Sequence, residues 1–439
     1  MKRNYGTGLG ILIVYLICGT HIYHSVLITW GNIIIIKCCD KRYLHHISLS
    51  YTWTYLAYMH IIEKYQSLPY ILWVHQAIAL RLVGMAFEIS LNERIKNEAQ
   101  EQKNQSSKPT VVNVENSIPE DPKAIEIIAY AYFFIGLHKG PYYRWKIFQD
   151  HFETPFGVLG DCRVITEQKL KKLAAYVILF MVLRTNFPIE IYYQDNFYVE
   201  YGADSRYLYN LPHLVMYCLQ HQIVMTLCSS ICTEAGFGVY PAKCNPLPGH
   251  GPSARLSLLK LAASNNDVAL EQEYNFAVLR SFEFDKMVFG PKMQDTLRAW
   301  DISTRYWFYA HAYKNTCKAQ KQIRKLLTYL LWSLWCGPSL QQFIIASTLY
   351  VHTQLEKEYA ALQVPNESMK VTWEVGYSIT RLLCLTYLTP CLIIQNPMVV
   401  LKYYNSILWM YHFLLIVFII AALLRSDVSH PFSSLDLIP

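Results

Sequence analysis

Apolar runs of about 20 residues recur along the chain between short polar breaks, the length needed to cross a bilayer core of roughly 30 Å. The first extends from Gly8 to about Gly31, and its apolar character continues through Ile33–Ile36. Lys2 and Arg3 precede it as they would a signal peptide, but the length of the run favours retained membrane helices. Further runs cover His46–Tyr65, Tyr70–Leu91, Ile125–Tyr143, Leu173–Tyr193, Leu326–Leu355, Ser378–Gln395 and Ile407–Leu424. Tyr207–Tyr240 is too long for one crossing and predicts two, broken near Gly236 and Gly238. The pattern predicts an all-α, multipass transmembrane chain with about 9–11 membrane segments, forming one domain over residues 1–439.

Two stretches break the rhythm. Asn92–Lys123 has no aromatic residue and is rich in Glu, Lys, Asn and Gln, which predicts a flexible solvent loop. Ala242–Glu273 carries Pro246, Pro248 and Pro252, then an amphipathic piece, Ala254–Ala263, suited to lying along a membrane face. No internal repeat is visible, which argues against an inverted-repeat transporter. The distribution of Lys and Arg leaves the orientation open.

Composition strengthens the membrane reading. Of 439 residues, 53% are hydrophobic and only 16% charged, against about 25% charged in soluble proteins. The 34 Tyr and 10 Trp suit membrane–water interfaces, and mean hydropathy is +0.15. The net charge of +7 is scattered and forms no nucleic-acid stripe. Twelve Cys show neither CxxC pairs nor zinc spacing; Cys228 and Cys232 lie one turn apart without a second ligand pair, so no metal site is expected.

Ionisable groups inside apolar runs are costly, which makes them functional candidates. Most of the 15 His, including His60, His75 and His221, read more simply as satisfied helix-end residues. Glu234 stands beside Ala235-Gly236-Phe237-Gly238, where small residues suit either a close helix contact or a ligand passage. The densest polar–aromatic cluster is Met293–Lys314, read here as an interfacial helix, with Trp300, Asp301, Thr304, Arg305 and Trp307 close together. Beyond it, Leu334-Trp335-Cys336-Gly337-Pro338 places a helix breaker inside an apolar segment, which is tolerated where neighbours or a cavity satisfy the freed carbonyl.

These segments together resemble the membrane-bound O-acyltransferases, most of all their lysophosphatidylinositol acyltransferase branch. The resemblance is carried by Tyr130–Phe156 (YAYFFIGLHKGPYYRWKIFQDHFETPF), Thr233–Pro241 (TEAGFGVYP), Gln272–Lys314 and Tyr403–Phe413. It runs from about His21 to Leu424, and the family usually begins with one more apolar segment. It implies a helical fold around a central chamber, in membranes of the endoplasmic reticulum type. It also implies transfer of a fatty acyl group from acyl-CoA, a co-substrate rather than a cofactor, to the free hydroxyl of a lysophospholipid. By the same resemblance, Trp300, Thr304, Trp335, Glu234 and His412 are candidate substrate-binding residues.

At two signature positions the chain departs from the family. Trp-Asn-x-Thr reads Trp300-Asp301-Ile302-Ser303-Thr304, and Trp-His-Gly reads Trp335-Cys336-Gly337. Asp301 and Cys336 therefore stand where the resemblance places the catalytic Asn and His. A general base contributes about 10²–10⁴ in rate and an oxyanion donor on the order of 10²–10³. A thiol keeps most of its proton at pH 7 and is a weak base, and an ionised Asp repels a developing oxyanion. Three readings stay open. The fold is retained for lipid binding or for regulation of an active paralogue; Cys336 carries the acyl group as a thioester, with Asp301, His311 or His412 as base; or transfer proceeds with another residue in the His role.

Overall fold

The computed structural model describes residues 2–61, 69–105, 122–315, 320–361 and 367–429. Helices dominate these residues, and the strands among them are two-residue pairs: Tyr240–Pro241 with Tyr274–Asn275, and Pro246–Leu247 with Gly251–Pro252, both antiparallel. The chain folds as two compact units. The first holds 1–178, 221–282 and 301–338, and the second holds 179–220, 283–300 and 339–439.

In the first unit, helices Lys2–Cys18 and Ile22–Cys38 form one 37-residue apolar stretch joined by a 3-10 turn at Gly19–His21. Helices Leu44–Ile61 and Pro69–Gln105 pack beside it. In the most apolar 18-residue window of the latter's span, Tyr70–Glu98, 83% of the residues are buried, so this helix is the core of the unit. In the second unit, Leu340–Ala361 packs against Glu367–Ile393 and Met410–Ser429. There Glu356 accepts the backbone N–H groups of Met293 (2.6 Å) and Gln294 (3.3 Å), and His352 bridges it to the Tyr411 hydroxyl.

Among the described residues, four helical stretches are long and apolar enough to cross a membrane. A fifth is the pair Pro397–Ser406 and Met410–Leu424, bent by 66°. The stretch Cys162–Tyr193 has none of its most apolar window buried, and Ile178, Met181 and Val182 are exposed. An apolar surface of that extent belongs against lipid rather than water. The protein is an integral membrane protein.

Four expectations need correction. Ile125–Tyr143 is not a span: its helix, Ala124–Tyr132, has nine residues, about 14 Å at 1.5 Å per residue. The buried stretch after it is irregular. Asn92 does not open a loop, because the helix continues to Gln105. Its Glu, Lys, Gln and Ala are good helix formers that need no core, and residues 106–121 lie outside the described set. Tyr207–Tyr240 holds one long helix, Asn210–Glu234, not two spans. Gly236 and Gly238, both at positive φ, form the turn that ends it. Met293–Lys314 is likewise no single helix but three short pieces: Met293–Ala299, Ile302–Trp307 and a π-helical turn at Phe308–Tyr313.

Candidate active site

Arg81, on the central helix and almost wholly buried, donates to the carbonyls of Tyr130 (3.2 Å), Ala131 (3.1 Å), Phe133 (3.0 Å) and Ile135. The carbonyls at a helix C-terminus have no partner within the helix, and the multi-donor guanidinium supplies one. This lets the chain leave the helix after Tyr132 while staying buried. The irregular stretch it supports carries Lys139, whose Nζ sits 4.0 Å from the centre of the Trp73 ring.

Asp301 adopts a left-handed backbone conformation, φ 38° and ψ 61°, and caps the helix Ile302–Trp307. Its Oδ1 accepts the N–H of Thr304 at 3.4 Å. Asn and Asp are the residues that tolerate this conformation and serve as N-caps, so Asp keeps the structural duty of the signature Asn while changing its chemistry. The following helix is pinned to the central one: Trp307 Nε1 donates to the Leu80 carbonyl at 2.9 Å, and its ring stacks on Trp53 at 5.3 Å. Ser303 accepts the backbone N–H of Tyr142 at 3.1 Å, tying Asp301's helix to the Lys139 stretch.

Cys336 is the last residue of helix Lys321–Cys336. Trp53 Nε1 donates to the carbonyl of Leu331 at 2.9 Å and Gln76 Nε2 to that of Trp335 at 2.8 Å, fixing this end of the helix. Gly337 follows at φ 128°, and a Cβ there would lie 2.5 Å from Cε1 of His60, so only glycine suits the position.

Asp301, Thr304, Trp335, Lys139, Gln76 and Arg81 line one narrow cavity of about 20 Å³. That is room for about one water molecule. Cys336 lies within electrostatic reach of both Lys139 and Asp301. Burial pushes the Asp301 carboxyl above the usual carboxylate range, while the Lys139 charge and the hydrogen bonds from Thr304 and Ser303 act against that rise. A carboxylate raised this way is a stronger proton acceptor than an exposed one.

Of the candidates read from sequence, the cavity thus unites Asp301, Thr304 and Trp335, with Cys336 close by. Glu234 lies elsewhere in the same unit, exposed at the end of its helix. The glycine beside it makes a backbone contact: a Cβ on Gly236 would lie 2.6 Å from the Gly157 carbonyl oxygen, which fits close packing. Trp300 and His412 belong to the second unit. There Trp300 stacks on Tyr217 at 6.0 Å, and His412 pairs with the Tyr387 hydroxyl through Nδ1 and with Thr348 at 3.2 Å through Nε2. Lys139 and Arg81 were missed by the sequence reading, although each is a charged residue inside an apolar run and so fits the rule applied to Glu234.

The chain is 24% identical to the membrane-bound acylglycerophosphatidylinositol O-acyltransferase frj of Drosophila melanogaster, covering 92% of this chain and 83% of that protein. It is 24% identical to the corresponding enzyme mboat7 of Xenopus laevis, covering 95% and 87%, and 22% identical to MBOAT7 of Homo sapiens, covering 94% and 86%. The profile of MBOAT, the membrane-bound O-acyltransferase family, matches residues 25–394. Because that match covers most of the 439 residues, the chain belongs to the membrane-bound O-acyltransferase family.

Proposed function

We propose that the protein is a lysophospholipid acyltransferase that moves a fatty acyl group from acyl-CoA to the free hydroxyl of a lysophospholipid, with lysophosphatidylinositol as the acceptor. The observation that carries this reading is similarity over more than nine-tenths of the chain to relatives named as acylglycerophosphatidylinositol O-acyltransferases. The site supports it. Asp301 and Lys139, both part-buried, line one cavity. Burial lowers the lysine's pKa, and the neighbouring Asp301 charge acts against that fall. The pairing is suited to taking a proton from a hydroxyl and balancing charge on a thioester oxygen. No metal or organic cofactor enters the chemistry.

A cavity of about 20 Å³ does not admit an acyl chain, so entry of substrate requires the side chains around it to move apart. The endoplasmic reticulum, where phospholipids are remodelled, is the membrane this reading assigns. The acceptor is tested in membranes from cells lacking endogenous activity, given arachidonoyl-CoA and lysophospholipids of different headgroups. Lysophosphatidylinositol is expected to be acylated in preference to lysophosphatidylcholine; an equal rate for both would overturn the headgroup assignment.

A second reading is favoured by one observation. Asp301 and Cys336 occupy both signature positions, as in a relative that binds lipid or regulates an active paralogue. In that case the protein binds lysophosphatidylinositol and produces no acylated lipid.

A further inference from the structure

We infer that Lys139 is a catalytic residue of the acyl transfer, its ammonium receiving the negative charge that develops on the thioester oxygen while Asp301 takes the proton of the attacking hydroxyl. This rests on the acyltransferase reading above. Lys139 and Asp301 line the same cavity, and Lys139 is held there by the face of Trp73 and by the loop that Arg81 anchors. Arg81 directs its guanidinium at four backbone carbonyls, so its part is to position the loop. Lys139 instead shares the cavity with Asp301 and lies within electrostatic reach of Asp301 and Cys336.

The placement of Cys336 favours direct transfer over a thioester on the protein. It ends its helix, at the negative pole of the helix dipole, where a thiolate is disfavoured. The direct route balances. The lysolipid oxygen forms a bond to the acyl carbon as its proton passes to the Asp301 carboxylate. The carbonyl oxygen becomes an oxyanion against Lys139. Collapse then breaks the carbon–sulfur bond, and the CoA thiolate leaves with the proton returned by Asp301. Preorganised charge aimed at a developing oxyanion supplies about 10²–10³ in rate, the order of contribution lost with the signature amide.

The test uses the purified full-length protein in proteoliposomes, with arachidonoyl-CoA and lysophosphatidylinositol, and compares wild type with Lys139→Met, Lys139→Arg and Lys139→Gln. Lys139→Met is expected to lower kcat by about 10²–10³-fold with KM for both substrates within a few-fold, and Lys139→Arg to retain more turnover than Lys139→Met. A pH profile adds a readout that a packing role would not move. The groups facing Asp301 are Lys139 and Cys336, the cavity-lining Arg81 and Tyr142, and the hydroxyls of Ser303 and Thr304. Of these, the Lys139 charge holds the Asp301 proton off most, with the hydrogen bonds from Thr304 and Ser303 acting in the same direction. Removing that charge therefore shifts the acid limb of kcat to higher pH. If Lys139→Met does not yield monodisperse protein, Lys139→Gln, which keeps a donor without the charge, gives the same comparison.

An active wild type whose neutral variants stay within two-fold in kcat, with the acid limb unmoved, overturns the inference alone. So does loss of turnover in Cys336→Ala with Lys139→Met spared. An inert wild type overturns the inference together with the reading it rests on.

Discussion

Asp301 carries two duties that substitution can separate. Its left-handed φ and its cap on the Thr304 N–H are met equally by Asn, whereas proton acceptance is not. Asp301→Asn is therefore expected to shift thermal unfolding in detergent very little and to reduce turnover by about 10²–10⁴-fold. Asp301→Ala loses the cap as well and costs a further 0.5–2 kcal/mol or about that. Comparable unfolding temperatures for Asn and Ala would contradict the structural half of this account, and comparable turnover for Asp and Asn the chemical half. Since the proton acceptor must be ionised, wild-type activity falls as pH drops through the raised Asp301 range. The family resemblance made Asp301 and Cys336 legible in sequence because they occupy signature positions. Lys139 was hidden because nothing along the chain reveals that a loop anchored by Arg81 brings it beside Asp301.

Elements were legible where burial follows from local pattern and obscure where a distant side chain decides. Apolar runs fell on most of the long helices, although Cys162–Asn186 and Glu367–Ile393 begin well before the runs at Leu173 and Ser378 that marked them. The periodicity of Ile125–Tyr143, however, carries no sign that a guanidinium some 50 residues earlier takes over the carbonyls of Tyr130–Ile135 and so releases the chain from its helix. Met293–Lys314 reads as continuous until the positive φ of Asp301 divides it. The break at Gly337 is the one anticipated near Pro338, and it sets the end of the helix that bears Trp335 and Cys336. Gly337→Ala puts a methyl 2.5 Å from the His60 ring at a φ that L-residues avoid. It is expected to destabilise the protein by about 1–3 kcal/mol in thermal unfolding and to lower turnover by displacing Trp335; unchanged unfolding would show that His60 does not constrain this turn.

At the scale of the whole molecule, two compact units share one family match. The bilayer leaves a signature. Ile178 is exposed on a stretch whose apolar window has no buried residue, so Ile178→Lys is expected to weaken insertion by about 2.5–3.5 kcal/mol in a glycosylation-mapped insertion assay, and unaltered insertion would mean that this face does not meet lipid. The activity itself is tested most directly by single turnover: purified protein in proteoliposomes, a stoichiometric amount of acyl-CoA, excess lysophosphatidylinositol, and mass spectrometry of both products. The account predicts free CoA and phosphatidylinositol in equal amounts, with both lost in Asp301→Asn. Folded wild-type protein that binds the lysolipid but releases neither product would contradict it and leave the lipid-binding relative in its place.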